Sequence, residues 1–187
     1  MRAIQMLLAA IPLIACSVGT HPAPGRVVEP RASTGSAAHG PSPLRQAMEE
    51  GHRAARAEKG LPPLSWDLAL ARDAQAYADT LAATGNFEHS EQPDGDAVEG
   101  ENLWSGTRGA YRYAEMVGHW VEEKRDYVPG ILPDVSRTGQ FEDVGHYTQI
   151  MWRATRRFGC AQASSAEDDY VVCRYAPAGN YIGQRAF

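Results

Sequence analysis

Two segments late in the chain constrain its fold more than anything before them. Phe158-Gly159-Cys160-Ala161 and Tyr170-Val171-Val172-Cys173-Arg174-Tyr175 are short apolar runs on either side of a polar loop. Rich in aromatic and β-branched residues, they predict an antiparallel hairpin with a cysteine in each strand. Just upstream, Gly145-His146-Tyr147-Thr148-Gln149-Ile150-Met151-Trp152 predicts a short helix through Thr148, Gln149 and Trp152, with Gly145 a poor helix opener.

Before these, helical periodicity dominates. Leu44, Ala47, Met48, Ala54, Ala55 and Ala57 mark a helix from about Pro43, stopped by Gly60 and the Pro62-Pro63 pair. Asp67 is placed to cap a second helix that keeps its period through Leu81 and ends at Gly85. A third runs from about Gly109 to Asp126, with Tyr113, Val117 and Trp120 on its core face. Residues 87–106, dense in Gly, Asp, Glu and Ser, read as a long ordered loop or short strands, with Glu101 in a Gly-Glu-Asn turn, and 128–142, broken by Pro129, Gly130 and Pro133, reads as a loop. Helices and loops first, with a hairpin last, make an α+β domain rather than alternating βαβ units.

The N-terminus reads as a targeting segment. Arg2 precedes an apolar run, Ala3 to Ala15, of signal-peptide length and too short to span a bilayer. Leu13-Ile14-Ala15-Cys16 resembles a bacterial lipobox, which implies cleavage after residue 15 and lipid on Cys16. Two or more acyl chains would hold the protein at a membrane. Ser17 and Val18 lack the aspartate of inner-membrane retention, so in a Gram-negative cell the resemblance points to the outer membrane. Residues 16–42, rich in Pro, Gly, Ser and Ala, read as a flexible tether, leaving 43–187 as the folded domain. Of three cysteines, lipid on Cys16 leaves Cys160 and Cys173 as an even pair for a disulfide in an oxidising compartment. Net charge is −5 and no Lys/Arg cluster exists, so nucleic acid is not an expected partner.

The segment 145–152, followed by Tyr170 to Tyr181 (ending Ala176-Pro177-Ala178-Gly179-Asn180-Tyr181), resembles the two signatures of the CAP superfamily. That superfamily holds the cysteine-rich secretory proteins, antigen 5 allergens and plant pathogenesis-related proteins of family 1. Leu61 to Asp67, Phe87-Glu88-His89-Ser90 and Gly100-Glu101-Asn102-Leu103-Trp104 look like further family motifs, so the resemblance spans about Leu44 to Tyr181. It implies a three-layer α-β-α sandwich with a central antiparallel sheet. It also implies a cleft lined by two histidines and two acids, here His89, Glu101, Glu123 and His146. Glu122 is the register alternative, and Glu123 is preferred because Trp120, Glu123 and Tyr127 keep the family's Trp-x-x-Glu-x-x-x-Tyr spacing.

Two readings of that tetrad stand side by side. Neutral imidazoles of His89 and His146 suit Zn²⁺ or another divalent cation, with Glu101 and Glu123 holding water or orienting the rings. The same carboxylates would equally pair with protonated histidines in a structural cluster without metal. No catalytic residue is assigned. Ser90 beside His89 raises a hydrolase or protease reading, but sequence neighbours rarely form a triad. Lipid- and sterol-binding relatives raise a third, in which aromatics near the cleft line a groove for a lipid, sterol or envelope ligand. Most aromatics, Trp104, Tyr113, Trp120, Tyr147 and Trp152 among them, read as core.

Overall fold

The structure is a computed structural model that describes residues 39–92 and 98–187. The expected signal segment 1–15, the lipid acceptor Cys16 and all but the last residues of the tether lie outside the described residues.

Helix α1 is Pro41–Ala57, opening at a proline in its first turn, two residues earlier than the periodicity placed it. It buries Leu44, Met48, His52, Ala55 and Arg56 on one face. A turn through Gly60 leads to the two-residue strand β1, Ser65–Trp66. Helix α2, Leu68–Thr84, begins where Asp67 accepts hydrogen bonds from the Ala69 and Leu70 amides. It stops where Gly85 adopts φ 70° and returns its N–H to Leu81.

Strand β2, Gly100–Thr107, decides a stretch that the sequence left open between a loop and short strands. Its eight residues pair with the last strand from Gly100↔Tyr175 to Thr107↔Asp168. Glu101 therefore sits on a strand, not in a turn. Its Gly, Ser and Glu content hides a segment whose strand character comes from the partner it pairs with. Helix α3 is Tyr113–Glu122, shorter than expected at both ends. Gly109 has φ 67°, which delays the start, and Glu123–Arg125 tightens into a 3₁₀ turn. Helix α4, Gly145–Met151, starts at Gly145 despite its low propensity. Strands β3, Arg157–Ser164, and β4, Asp168–Ala176, form the expected hairpin, and Cys160 and Cys173 are register partners joined by a disulfide.

The sheet order is β1-β3-β4-β2. Its three long strands are antiparallel, but β1 runs parallel to β3, so the sheet is mixed rather than wholly antiparallel. Alternation along the strands builds two cores. On one face Val171, Cys173 and Tyr175 pack with Met48 of α1, Trp120 of α3 and Ile150 of α4. On the other, Leu103, Ala161, Tyr170 and Val172 pack with Ala74, Ala78 and Leu81 of α2. The result is the α+β sandwich of three layers.

Arg56, fully buried, braces one end of this arrangement. Its guanidinium donates to the carbonyls of Pro62, Ile150 and Trp152, tying the turn after α1 to the end of α4.

Candidate functional site

The four residues of the expected tetrad come together as two pairs. His89 Nδ1 lies 2.7 Å from Glu101 Oε1, and His146 Nδ1 lies 2.5 Å from Glu123 Oε1. A carboxylate only accepts, so each Nδ1 carries the hydrogen and each Nε2 is left with its lone pair when the ring is neutral. In both pairs the carboxylate is the more buried partner. Glu101 is 6 % exposed against 66 % for His89, and Glu123 17 % against 30 % for His146. Glu122, the register alternative, is exposed.

Each carboxylate is fixed by its element. Glu123 opens the 3₁₀ turn after α3 and its second oxygen accepts the Tyr147 amide, 2.9 Å away at the start of α4. The His146 ring stacks on Trp120, with centroids 5.8 Å apart. Glu101 accepts from the Ser90 amide at 3.0 Å and the Ser90 hydroxyl at 2.9 Å, so Ser90 serves as a donor that orients Glu101.

Sequence reasoning missed the cation that makes a buried Glu101 tenable. Arg174, with its side chain 6 % exposed, reaches Glu101 at 3.0 Å and lies over the Tyr77 ring at 5.4 Å. The signal was available: Arg174 is a lone charge in the otherwise apolar run of β4, and a buried charge needs a partner. Burial works to raise the Glu101 pKa, but the hydrogen bond from His89, the Arg174 charge and the Ser90 donors outweigh it and hold it below the usual value. This carboxylate therefore contributes stability that is present above its ordinary pKa and lost as pH falls through the lowered one.

Asn102 joins the two pairs. It follows Glu101 on β2, is buried, and donates from Nδ2 to the His146 carbonyl at 3.2 Å. Tyr175 lies 2.8 Å from His52 Nε2, and His52 Nδ1 donates to the Met48 carbonyl. At the strand's start, Gly100 lies so close to the buried Gln149 that an added Cβ would meet Oε1 at 2.2 Å. That contact seats β2 against α4. Among the described residues, no group of three or more His, Cys, Asp and Glu side chains is spaced to hold a metal.

His52 gives a pH prediction. Burial above all lowers its pKa from 6.5 to about 4, with the Met48 hydrogen bond opposing and Arg56 reinforcing the shift. The unfolded chain binds the proton more readily, so the contribution is full above pH 6.5 and lost as pH falls toward 4. That gap is worth roughly 3 kcal/mol. Urea denaturation at pH 7 and pH 4 should show this loss, and His52→Asn should remove most of the pH dependence.

With the geometry in hand, the comparisons with known proteins decide the family. The model of the cysteine-rich secretory protein (CAP) family matches residues 50–175. The chain belongs to the CAP family. Tobacco pathogenesis-related protein 1B is 40 % identical over 139 residues, covering 74 % of this chain and 77 % of that protein. A pathogenesis-related protein of PR-1 type from Sambucus nigra is 34 % identical over 139 residues, covering 74 % and 78 %. Among solved structures, NaASP2, described with Zn²⁺, superposes with a TM-score of 0.63 at 26 % identity, over 77 % of this chain and 84 % of that one. All four tetrad positions lie within the matched CAP region.

Proposed function

We propose that this chain is an exported, membrane-tethered, non-enzymatic CAP domain that binds a divalent cation, zinc foremost, through Nε2 of His89 and His146. One observation carries the reading: each imidazole gives its Nδ1 hydrogen to a carboxylate more buried than itself, the carboxylate–histidine arrangement that orients ligands of zinc and raises their basicity. The structure of NaASP2 described with Zn²⁺ lends support from a relative. Two imidazoles leave the cation an open shell, which fits presentation of the metal to an external ligand. The disulfide fits an oxidising compartment outside the cytoplasm. The membrane anchor rests on the lipobox-like Leu13-Ile14-Ala15-Cys16.

Calorimetric titration of the whole chain with zinc tests the site. One zinc per chain at micromolar affinity or tighter is the expected result, lost in a His89→Ala/His146→Ala variant that still folds. Glu101→Gln and Glu123→Gln should each weaken binding about 10–100-fold, since they remove the groups that orient the rings. Undiminished zinc stoichiometry in the double histidine variant would sink the proposal.

A further inference from the structure

Among the described residues, no strand pairs with the edge of β3 opposite β4 beyond Phe158. β1 covers only Arg157 and Phe158, and its last bond on that side runs from the Asp67 amide to the Phe158 carbonyl. Strand alternation then turns the N–H and C=O of Cys160 and Gln162 to the same outer edge. Two further observations agree. Cys160 and Cys173 sit as close register partners, Cα atoms 4.1 Å apart, as in a pair that exchanges no backbone hydrogen bonds. The Gln75 side chain of α2, approaching from that outer side, reaches the Gln162 carbonyl at 3.4 Å.

This edge forms the floor of a cavity of about 620 Å³ between the start of α1 and the first turns of α2. That volume is in the range of specific ligand sites. Its walls are mainly apolar: Leu44 from α1, Trp66, Ala71 from α2, Tyr113 and Ala161. Leu68 stands at the cavity 70 % exposed, a large apolar side chain left to solvent. Two arginines line it. Arg45 lies over Trp66 and pairs with Glu49. Arg72, on α2, makes no salt bridge among the described residues.

We propose that the open edge of β3 takes up an extended peptide as an added strand, with apolar side chains toward Leu44 and Tyr113 and an acidic one toward Arg72. Backbone pairing to Cys160 and Gln162 would supply affinity, and the two walls would supply preference for side chains on alternate faces. An apolar cavity alone would suit many small molecules. Strand donors and acceptors along its floor that have no backbone partner among the described residues favour a peptide, because only another backbone matches them in spacing. This site is separate from the His89/His146 pairs and does not rest on the zinc reading.

The test uses the whole chain and the peptide acetyl-Thr-Val-Glu-Val-Thr amide as probe, with backbone amide exchange followed by NMR. Without peptide, the Cys160 and Gln162 amides should exchange rapidly. With it, both should become protected, with a dissociation constant of about 1 mM or tighter. A peptide N-methylated on the amides that face β3 should bind at least about tenfold more weakly, as should the parent peptide to Arg72→Ala. Amides already protected without peptide would overturn the proposal, because the chain itself or a second copy then covers the edge. Equal binding of the N-methylated peptide would overturn strand addition in favour of a merely lipophilic cavity. No binding of the parent peptide would overturn it outright.

Discussion

Replacing Arg174 with methionine should destabilise the folded chain by about 3–5 kcal/mol, the range for breaking a buried ion pair by removing one partner. The reason is what remains. Glu101 and Arg174 each leave only 6 % of their side chain exposed and meet at 3.0 Å. Methionine fills much of the volume and keeps contact with Tyr77, so lost charge rather than lost packing dominates. His89 and the two Ser90 donors would still face the carboxylate, which puts the effect toward the lower end of the range. The deficit should also depend on pH. Arg174 helps hold the Glu101 pKa down, so in the variant that pKa rises. A protonated Glu101 needs no cation, and the difference between variant and parent should shrink as pH falls below the usual carboxylate range. Urea denaturation at pH 7 and pH 4 reads both parts. A loss under about 1 kcal/mol that ignores pH would mean that Arg174 is packing material only.

Gly159→Ala should be nearly as damaging, and for a different cause. A Cβ at this position of β3 would stand 2.3 Å from the Ala71 nitrogen, 2.5 Å from the Asp67 carbonyl oxygen and 2.9 Å from the Ala71 Cα. All three are backbone atoms of the capped first turn of α2, which cannot rotate aside as a side chain can. Overpacking typically costs ~1–3 kcal/mol, and a clash with backbone belongs at or above the top of that range. The first turn of α2 must move off the sheet, loosening the Asp67 cap with it. Amide exchange should speed up in residues 68–72 and change little in α3 and α4. A variant within about 0.5 kcal/mol of the parent would show instead that α2 can move away from β3 at little cost.

These two positions mark what the sequence could and could not convey. The terminal hairpin was legible because apolar alternation and two cysteines lie within one short stretch, where local pattern and pairing coincide. Helix α2 was legible to its ends, since Asp67 and Gly85 are local devices. Strand β2 was not. Gly100, Glu101, Ser105 and Gly106 carry little strand propensity, and the strand exists because β4 offers a complete set of partners. The parallel run of β1 was also hidden, being two residues long and dependent on β3, far along the chain.

The site divides the same way. Family motifs picked out His89, Glu101, Glu123 and His146, and the geometry assigns each histidine to its carboxylate. The resemblance favoured Glu123 over Glu122 through the family's Trp-x-x-Glu-x-x-x-Tyr spacing from Trp120 to Tyr127, and it is Glu123 that meets His146. Asn102 and Gln149 escaped notice because a buried polar residue looks the same in sequence as an exposed one, and Arg174, though marked by its apolar surroundings, has its partner on another strand. Their roles follow from partners more than 25 residues away: Glu101 for Arg174, His146 for Asn102, and Gly179 for Gln149. Gly159 belongs with them, its necessity visible only once α2 lies across it.

The central claim is that both imidazoles present Nε2 to one cation while each Nδ1 keeps its hydrogen and donates it to Glu101 or Glu123. Long-range proton–nitrogen NMR of the histidine rings during zinc titration tests it most directly. The account predicts that Nε2 of His89 and Nε2 of His146 shift together, saturate at one zinc per chain, and leave both Nδ1 atoms protonated. Buried His52 should not respond. Saturation of the two histidines at separate equivalents, a shift on a different histidine, or no shift at all would contradict it and leave the two pairs as structural ion pairs.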